Sequence, residues 1–290
     1  AKRTYLYNES AYTGGLNYNF ALTGIVDESN NRFSTYTWGQ YQRVASTEKA
    51  GGVEKYSFTY YGNERWAVNT TVVDPLGKSS VYNFTVLHGM PKNTSMSQPC
   101  TSGCGGGSAA ATTYDANGNI ASKTDFNGNK ICYAHDLTHN LERIRLEGVA
   151  PGVSCPADLT TYTPPANTRQ RKITTEWHAT YRLPTQVDEP GRRTAYTHDA
   201  NGNVLTRTVT DLSVAPNVSR TWAYTYNAFG KVLTVDGPRS DVSDVATYTH
   251  YNCDTGYHCG QVHTVTNATG HTTTYNTYNA HGQPLTITDP

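Results

Sequence analysis

Residues 196–211 read YTHDANGNVLTRTVTD, and residues 114–125 carry a closely similar phrase, YDANGNIASKTD. Both contain D-x-N-G-N, which places oxygen-bearing side chains at alternate positions, as calcium-binding loops do. An EF-hand loop also needs glycine at its sixth position and glutamate at its twelfth. Counted from Asp199, glycine falls at position 4 and threonine at position 12, and the copy at Asp115 has phenylalanine at position 12. Neither copy completes a calcium site, so the phrase is interpreted as a turn.

The element that recurs along the chain is aspartate or asparagine followed three residues later by glycine, here called a corner. Asp or Asn is favoured at the first position of a type I turn, where its side chain binds the backbone two residues on. Glycine is favoured at the fourth position, where it accepts positive φ and forms the bulge of a hairpin. The predicted turn-forming residues are Asp74 and Gly77, Asp115 and Gly118, Asp125 and Gly128, Asp188 and Gly191, Asp199 and Gly202, Asn227 and Gly230, Asn267 and Gly270, and Asn279 and Gly282.

The corner at Asp188 departs from this pattern. Pro190 occupies its third position, where proline is disfavoured in a type I turn. The sequence therefore predicts a different geometry for that corner.

The segments between corners are typical of β-strands. Residues 192–198 and 203–210 have strand length, and the second alternates Thr and Val with Leu and Arg. The chain holds 22 Tyr and 25 Gly, residues typical of strands and turns respectively. Corner-like positions are 21 residues apart from Asp115 to Asp136, and 63 apart from Asp136 to Asp199. A period near 21 residues predicts an all-β repeat array of antiparallel hairpins, in which each hairpin stacks on its neighbours.

Two segments interrupt this pattern, at about residues 87–111 and 148–171. The first is rich in Gly and Ser, and the second is rich in Pro. Because repeats lie on both sides, residues 1–290 are predicted to form a single array in which these segments are insertions. Insertions in repeat arrays map to loops and are frequent places of specificity.

The corners preceded by tyrosine resemble those of the Tyr-Asp repeat family, which comprises bacterial Rhs repeat proteins and their relatives in toxin-complex cocoons and teneurins. The signature Tyr-Asp-x-x-Gly appears at residues 114–118 and, with relaxed spelling, at 196–202, 226–230 and 278–282. The resemblance implies a curved or spiralling sheet of β-hairpins that, in complete members, closes around a toxic segment. The chain ends inside what looks like another repeat and shows no self-cleaving core motif, so it is expected to supply part of such a shell.

Six cysteines fall along the chain as three neighbouring pairs. This pattern favours local disulfides and an oxidising compartment, although six cysteines allow fifteen pairings. The candidates for structural disulfides are Cys100, Cys104, Cys132, Cys155, Cys253 and Cys259.

One cluster offers nitrogen and sulfur ligands that zinc could use. Cys253, His258, Cys259 and His263 form C-x4-H-C-x3-H, with His250 nearby. The spacing does not match the usual C-x2-C pairs, so a disulfide with surface histidines is the favoured interpretation and a metal site is the alternative.

Histidines that precede corners are interpreted as structural. His135 and His198 occupy the position that Tyr226 and Tyr278 fill at other corners. No nucleophile elbow is present, and no carboxylate pair stands apart from the turns. The chain is therefore not expected to be an enzyme or to use a metal or other cofactor.

The charge balance and hydropathy restrict the partners. Lys plus Arg and Asp plus Glu are both 23, which disfavours a nucleic-acid partner. No run of 18 apolar residues predicts a membrane span. The expected partners are other segments of a larger Rhs protein or neighbouring copies, with carbohydrate as a further candidate for the tyrosine-rich surfaces.

Two functions from different classes remain open. The first is a non-enzymatic structural segment of a secreted or cell-surface bacterial protein, which forms part of a β-shell that encloses or presents a toxin or partner. The alternative is an adhesin or filament-like binding module that recognises carbohydrate or neighbouring copies through its insertions and tyrosine rows.

Overall fold

The computed structural model describes residues 2–99, 109–253 and 256–290. These residues form 22 β-strands and two short 3₁₀ turns, at Gln40–Gln42 and Ala50–Gly52. The all-β fold class is therefore confirmed. Across the described ranges, no helix has the length and apolar character needed to cross a membrane.

The chain divides into two compact units, residues 1–140 with 146–162, and residues 141–145 with 163–290. The first unit contains the strands Thr4–Tyr7 (β1), Leu22–Val26 (β2), Arg32–Trp38 (β3), Val44–Lys49 (β4), Tyr56–Gly62 (β5), Ala67–Val73 (β6), Ser79–Leu87 (β7), Met90–Ser97 (β8), Ala109–Tyr114 (β9), Ile120–Thr124 (β10) and Lys130–Asp136 (β11). Strand Leu141–Val149 (β12) contributes residues to both units.

The second unit continues with the remaining strands. They are Arg171–Trp177 (β13), Pro184–Glu189 (β14), Arg192–His198 (β15), Val204–Asp211 (β16), Val218–Tyr226 (β17), Val232–Asp236 (β18), Ala246–His250 (β19), Val262–Thr266 (β20), Thr272–Tyr278 (β21) and Pro284–Thr288 (β22).

Consecutive strands pair antiparallel within each unit, from β1 to β11 and from β13 to β22. In the β15–β16 hairpin, Arg192 lies opposite Asp211 and the register is regular until it shifts between Thr197 and His198. Such a shift beside a tight turn is a β-bulge, which adds one residue to one strand. The predicted array of antiparallel hairpins is thus the observed topology.

Hydroxyl side chains link neighbouring strands across many hairpins. Threonines pair at 2.6–2.7 Å between Thr197 and Thr206 and between Thr225 and Thr234. Further Thr and Ser pairs join β3 to β4, β9 to β10, β16 to β17, β19 to β20, β20 to β21 and β21 to β22. Cross-strand pairs of this kind contribute about 0.2–1 kcal/mol each. The abundance of Thr therefore follows from the sheet itself.

Full burial is confined to a few side chains. In the first unit, Cys132, Leu146 and Val149 are almost wholly inaccessible. Cys132 is disulfide-bonded to Cys155, with a Cα–Cα distance of 5.8 Å. The segment that follows β12 is thereby tied to β11, at the place where the first unit has its apolar core.

The first segment expected to be an insertion, residues 87–111, contains a strand. Met90–Ser97 forms β8, which pairs with β7 on one side and β9 on the other. Pairing with two neighbours overrides the weak strand preference of Pro and Ser in this segment. The second segment expected to be an insertion, residues 148–171, begins at the end of β12, which extends to Val149.

Candidate functional site

The predicted corners share one set of hydrogen bonds. At Asp199, the backbone carbonyl accepts from Gly202 N–H at 3.1 Å and the backbone N–H donates to Asn203 at 2.9 Å. The carboxylate oxygen Oδ1 accepts from the N–H groups of Asn201 and Asn203 at 2.8 and 2.9 Å. Gly202 has a φ of 85°. This is a type I turn followed by a glycine bulge, the geometry that the pattern predicts.

The same four hydrogen bonds occur at six further corners. These begin at Asp74, Asp115, Asp125, Asn227, Asn267 and Asn279. The side-chain oxygen Oδ1 of the first corner residue, the first of the oxygens that suggested a calcium loop, therefore accepts from backbone donors of its own turn.

The corner at Asp188 has a different geometry, as its proline predicts. Strands β14 and β15 pair up to Glu189 and Arg192, so the turn consists of Pro190 and Gly191, whose φ is 75°. Proline followed by glycine suits a type II turn. Asp188 thus lies in a strand instead of opening the turn, and its carboxylate accepts bonds of 2.7 and 2.8 Å from Arg193.

A further corner, outside the eight predicted from the sequence, begins at Asp27. Asp27 forms the same hydrogen bonds as Asp199, but Asn30 occupies the glycine position with a φ of 62°. Asparagine tolerates this left-handed conformation better than other residues with a side chain. A pattern that admits Asn at the fourth position would have found this corner.

The carboxylate of Asp199 is expected to make stability depend on acid pH. A hydrogen bond from the side chain of Asn203 lowers the pKa of Asp199 below its ordinary value of 3.8. Its contribution is complete above that value and is lost as the pH falls through the lower folded pKa. We expect Asp199→Asn, which keeps the acceptor oxygen as Asn227 does, to flatten the acid decline of the free energy of unfolding. Urea unfolding at a series of pH values above and below 3.8 measures this change in the free energy of unfolding.

The reverse substitution provides the matched control. Asn227→Asp should retain its turn and acquire an additional decline below pH 3.8, the ordinary aspartate value. If the two variants and the wild-type chain lose stability in parallel, the corner carboxylates do not carry the acid sensitivity.

Tyrosines that precede corners bind the neighbouring strand. In each case the tyrosine hydroxyl donates to a backbone carbonyl oxygen. The pairs are Tyr114 and Asn93 at 2.6 Å, Tyr226 and Val204 at 2.8 Å, and Tyr278 and Val262 at 2.6 Å. Desolvation by burial raises the pKa of all three phenols, so each remains a hydrogen-bond donor well into alkaline solution. The Tyr of the Tyr-Asp signature thus joins its strand to the preceding strand, whereas the bulge lies in the pairing with the following strand.

Histidine fills the tyrosine position before other turns. The Nδ1 atoms of His135, His198 and His250 are buried and make no hydrogen bond within the described ranges. Desolvation, with a smaller effect from Lys231, lowers the pKa of His250. These imidazoles therefore resemble buried aromatic side chains in the tyrosine position more than general bases.

The candidate zinc cluster is closed by a disulfide. Cys253 and Cys259 are joined, with a Cα–Cα distance of 4.2 Å, so their sulfurs cannot act as thiolate ligands. His258 and His263 pack on the ring of Tyr251 at 4.6 and 4.3 Å between centroids. Among the described residues, no three potential ligands converge. Cys100 and Cys104, the remaining predicted pair, lie outside the described residues.

The Pro-rich insertion borders an open cavity of about 510 Å³ in the second unit. Pro164, Pro165 and Lys172 line it together with Asp188 and Glu189. Both carboxylates are already paired with arginines: Asp188 with Arg193 at 2.7 Å, and Glu189 with Arg171 at 3.2 Å. The cavity therefore offers a mixed surface without a free acid group.

A smaller cavity of about 240 Å³ lies in the first unit, between the β3–β4 connection and β5. Tyr41, Arg43, Phe58 and Tyr60 line it. Sequence reasoning missed this site because its residues belong to no motif and come together only through strand pairing.

Solved structures of similar fold extend over nearly the whole chain. The structure of TcdB2-TccC3-Cdc42 has a TM-score of 0.67 and 10% sequence identity, and that of TcdB2-TccC3-TEV has a TM-score of 0.68 and 10% identity. The Photorhabdus luminescens Tc holotoxin pore has a TM-score of 0.67 and 9% identity. Each alignment covers 99% of this chain and 14% of the matched chain. At such low identity, the likeness establishes the fold alone.

Sequence comparison identifies one segment directly. No curated protein matches the chain in sequence. The family model of the RHS repeat matches residues 260–290, which contain the corners at Asn267 and Asn279. Residues 260–290 are therefore similar to the RHS repeat, and the resemblance to the Rhs repeat family is confirmed.

Proposed function

We propose that the chain is a structural, non-enzymatic segment of a larger secreted or cell-surface Rhs-type protein, in which its hairpins form part of a shell around a toxin or a protein partner. The repeated corner geometry carries this proposal, because seven identical turns give the chain a uniform hairpin architecture. The RHS repeat and the fold shared with Tc toxin components support it. Both units then belong to one array, with the insertions as its loops.

The disulfides support the proposed extracellular location. Cys132–Cys155 and Cys253–Cys259 are both formed between neighbouring cysteines of the chain. Stable disulfides form and persist in oxidising compartments. The chain spans 14% of the length of the Tc toxin chains that it matches, so assembly with further protein segments is part of the proposal.

Protease protection in the full-length protein that contains this chain would test enclosure. A segment enclosed by the hairpins should resist a protease in the wild-type protein and become sensitive in Gly62→Ala, which disturbs the β5–β6 hairpin. Gly270→Ala serves as the control, because nothing lies within 4 Å of the added methyl group. A segment that is as protease-sensitive in the wild-type protein as in Gly62→Ala, and is cleaved readily in both, would contradict enclosure.

The second candidate function, a binding module, is favoured by the exposed aromatic rings of β1 and β5. Tyr5, Tyr7 and Tyr61 are each 53% exposed. Aromatic rings with an exposed face can stack on a sugar or on a neighbouring protein. Glycan-array binding together with an unprotected partner segment would favour this function over the shell.

A further inference from the structure

Three corners contain asparagine directly before glycine. The asparagines are Asn117, Asn127 and Asn201. Glycine has no side chain to shield its backbone nitrogen, and one bond from that nitrogen to the asparagine side-chain carbon closes a five-membered ring. Asparagine is thermolabile for this reason, and the reaction needs no enzyme. Each of these three corners is therefore a candidate for covalent change.

The reaction converts the side-chain amide to an acid, with water as the only reactant. At Asn201, the deprotonated backbone nitrogen of Gly202 would attack Cγ. The Cγ–Nδ2 bond would break, ammonia would leave, and a succinimide ring would form. Water then opens the ring at either carbonyl, which yields aspartate or isoaspartate. One water is consumed and one ammonia is released, and no atom changes its oxidation state.

Two of the corners form a matched pair, because residues 115–119 and 199–203 have the same sequence, DANGN. Their backbones agree as well. The glycine N–H donates to the carbonyl of the first aspartate at 3.0 Å in the earlier corner and at 3.1 Å in the later one. The glycine φ values are 79° and 85°, and both asparagines are exposed. A difference in reactivity between them has to come from contacts with the rest of the fold.

Asn117 is held by contacts with the turn that follows β11. Its Nδ2 donates to the carbonyl oxygen of Leu137 at 2.6 Å and to Oδ1 of Asn140 at 2.8 Å. Both hydrogen bonds have to break before the side-chain carbon can rotate toward the nitrogen of Gly118. Gly118 is also buried, so its N–H is shielded from the hydroxide that would deprotonate it.

Asn201 lacks these restraints. Within the described ranges its side-chain amide makes no hydrogen bond, and only its backbone N–H is bonded, to Asp199. Gly202 is partly exposed. Asn127 is likewise exposed, and in the described part of the chain only its backbone N–H is bonded, to Asp125. The side chains of Asn201 and Asn127 are therefore free to rotate toward the following glycine.

We propose that Asn201 and Asn127 are sites of spontaneous deamidation and isoaspartate formation in the folded protein, and that the fold protects Asn117. Isoaspartate lengthens the backbone of the turn by one carbon and places a second carboxylate beside that of Asp199. The turn should then lose its hydrogen bond from Gly202 N–H to Asp199. This inference goes beyond the proposed structural role and does not depend on it.

Incubation of the folded chain in mildly alkaline water enriched in heavy oxygen, followed by peptide mapping with mass spectrometry, tests the proposal. Heavy oxygen should enter Asn201 and Asn127 roughly tenfold faster than Asn117, the factor expected for the loss of one or two hydrogen bonds. In urea the rates at Asn117 and Asn201 should become equal, because their local sequences are identical.

Three results would overturn the proposal. They are equal rates at Asn117 and Asn201 in the folded chain, no labelling of Asn201, and a difference between the two sites that persists in urea. Chromatographic separation of the labelled peptides distinguishes isoaspartate from aspartate, and formation of aspartate alone would exclude the succinimide route.

Asn140→Gly separates the effect of the hydrogen bond from that of the turn. Asn140 has a φ of 56°, which glycine adopts without strain, so the turn should remain while one acceptor of the Asn117 amide is removed. Labelling of Asn117 should rise severalfold. Asn201 lies in the other unit and is the internal control, with an unchanged rate. Unchanged labelling of Asn117 would overturn the assignment of its protection to this contact.

Discussion

Replacing Cys132 and Cys155 together by alanine should lower the free energy of unfolding of the first unit by about 2–4 kcal/mol. The disulfide joins β11 to the segment after β12 across 23 residues, and Cys132 is fully buried. A cross-link of this length removes conformational freedom from the unfolded chain, which is the principal source of its stabilisation in the chain-entropy model. Urea unfolding with hydrogen exchange resolved to this unit measures the change.

The other observed disulfide is the matched control. Cys253 and Cys259 are only 6 residues apart. The chain-entropy relation gives roughly 2 kcal/mol for that bridge and roughly 3.4 kcal/mol for Cys132–Cys155. Urea unfolding of the two double-alanine variants, each compared with the oxidised wild-type protein, should show this order. If both pairs of alanine substitutions cost the same, the closed-loop length is not what determines their stabilisation.

Gly62→Ala should destabilise the first unit by about 2–5 kcal/mol. Gly62 ends β5 with a φ of 137°, a conformation that residues with a side chain rarely adopt. An added methyl carbon would lie 2.3 Å from the carbonyl oxygen of Trp66 and 2.9 Å from the nitrogen of Val68. Because these are backbone atoms, the hairpin itself has to move.

Gly270→Ala isolates the cost of backbone conformation from that of the clash. Gly270 has a φ of 87°, and nothing lies within 4 Å of the added methyl group. Its substitution should cost about 1–2 kcal/mol, the usual penalty for a left-handed residue with a side chain. Chemical denaturation of both variants gives the loss in the free energy of unfolding of the first unit for Gly62→Ala and of the second unit for Gly270→Ala. Equal effects would show that the contact with Trp66 relaxes without cost.

The corners were predictable because their chemistry is local. At Asp199 the carboxylate, its backbone partners and the positive φ of Gly202 all lie within five consecutive residues, so the sequence contains the whole turn. Asp188 shows the limit of the pattern. Its proline indicated an exception, but the ion pair with Arg193 depends on strand register and was not foreseen.

Features that depend on pairing between distant strands were not predictable. Strand β8 lies in a segment whose composition indicates a loop, and it is a strand because β7 and β9 flank it. Tyr41 occupies a turn position that its side chain disfavours, and only the folded chain places it on the same cavity as Tyr60. That cavity therefore depends on tertiary structure, whereas the repeat can be predicted from the sequence.

The Tyr226 hydrogen bond has a consequence for how such arrays change length. Its donor and acceptor lie on adjacent strands, β17 and β16, and the Thr197–Thr206 pair likewise stays within one hairpin. These contacts are thus supplied by adjacent strands, whereas the Tyr251 hydroxyl reaches past β20 to Tyr275 on β21. Duplication or loss of a whole hairpin in the gene would preserve the contacts between adjacent strands elsewhere in the array, so its length can change by recombination wherever contacts of the longer kind are absent.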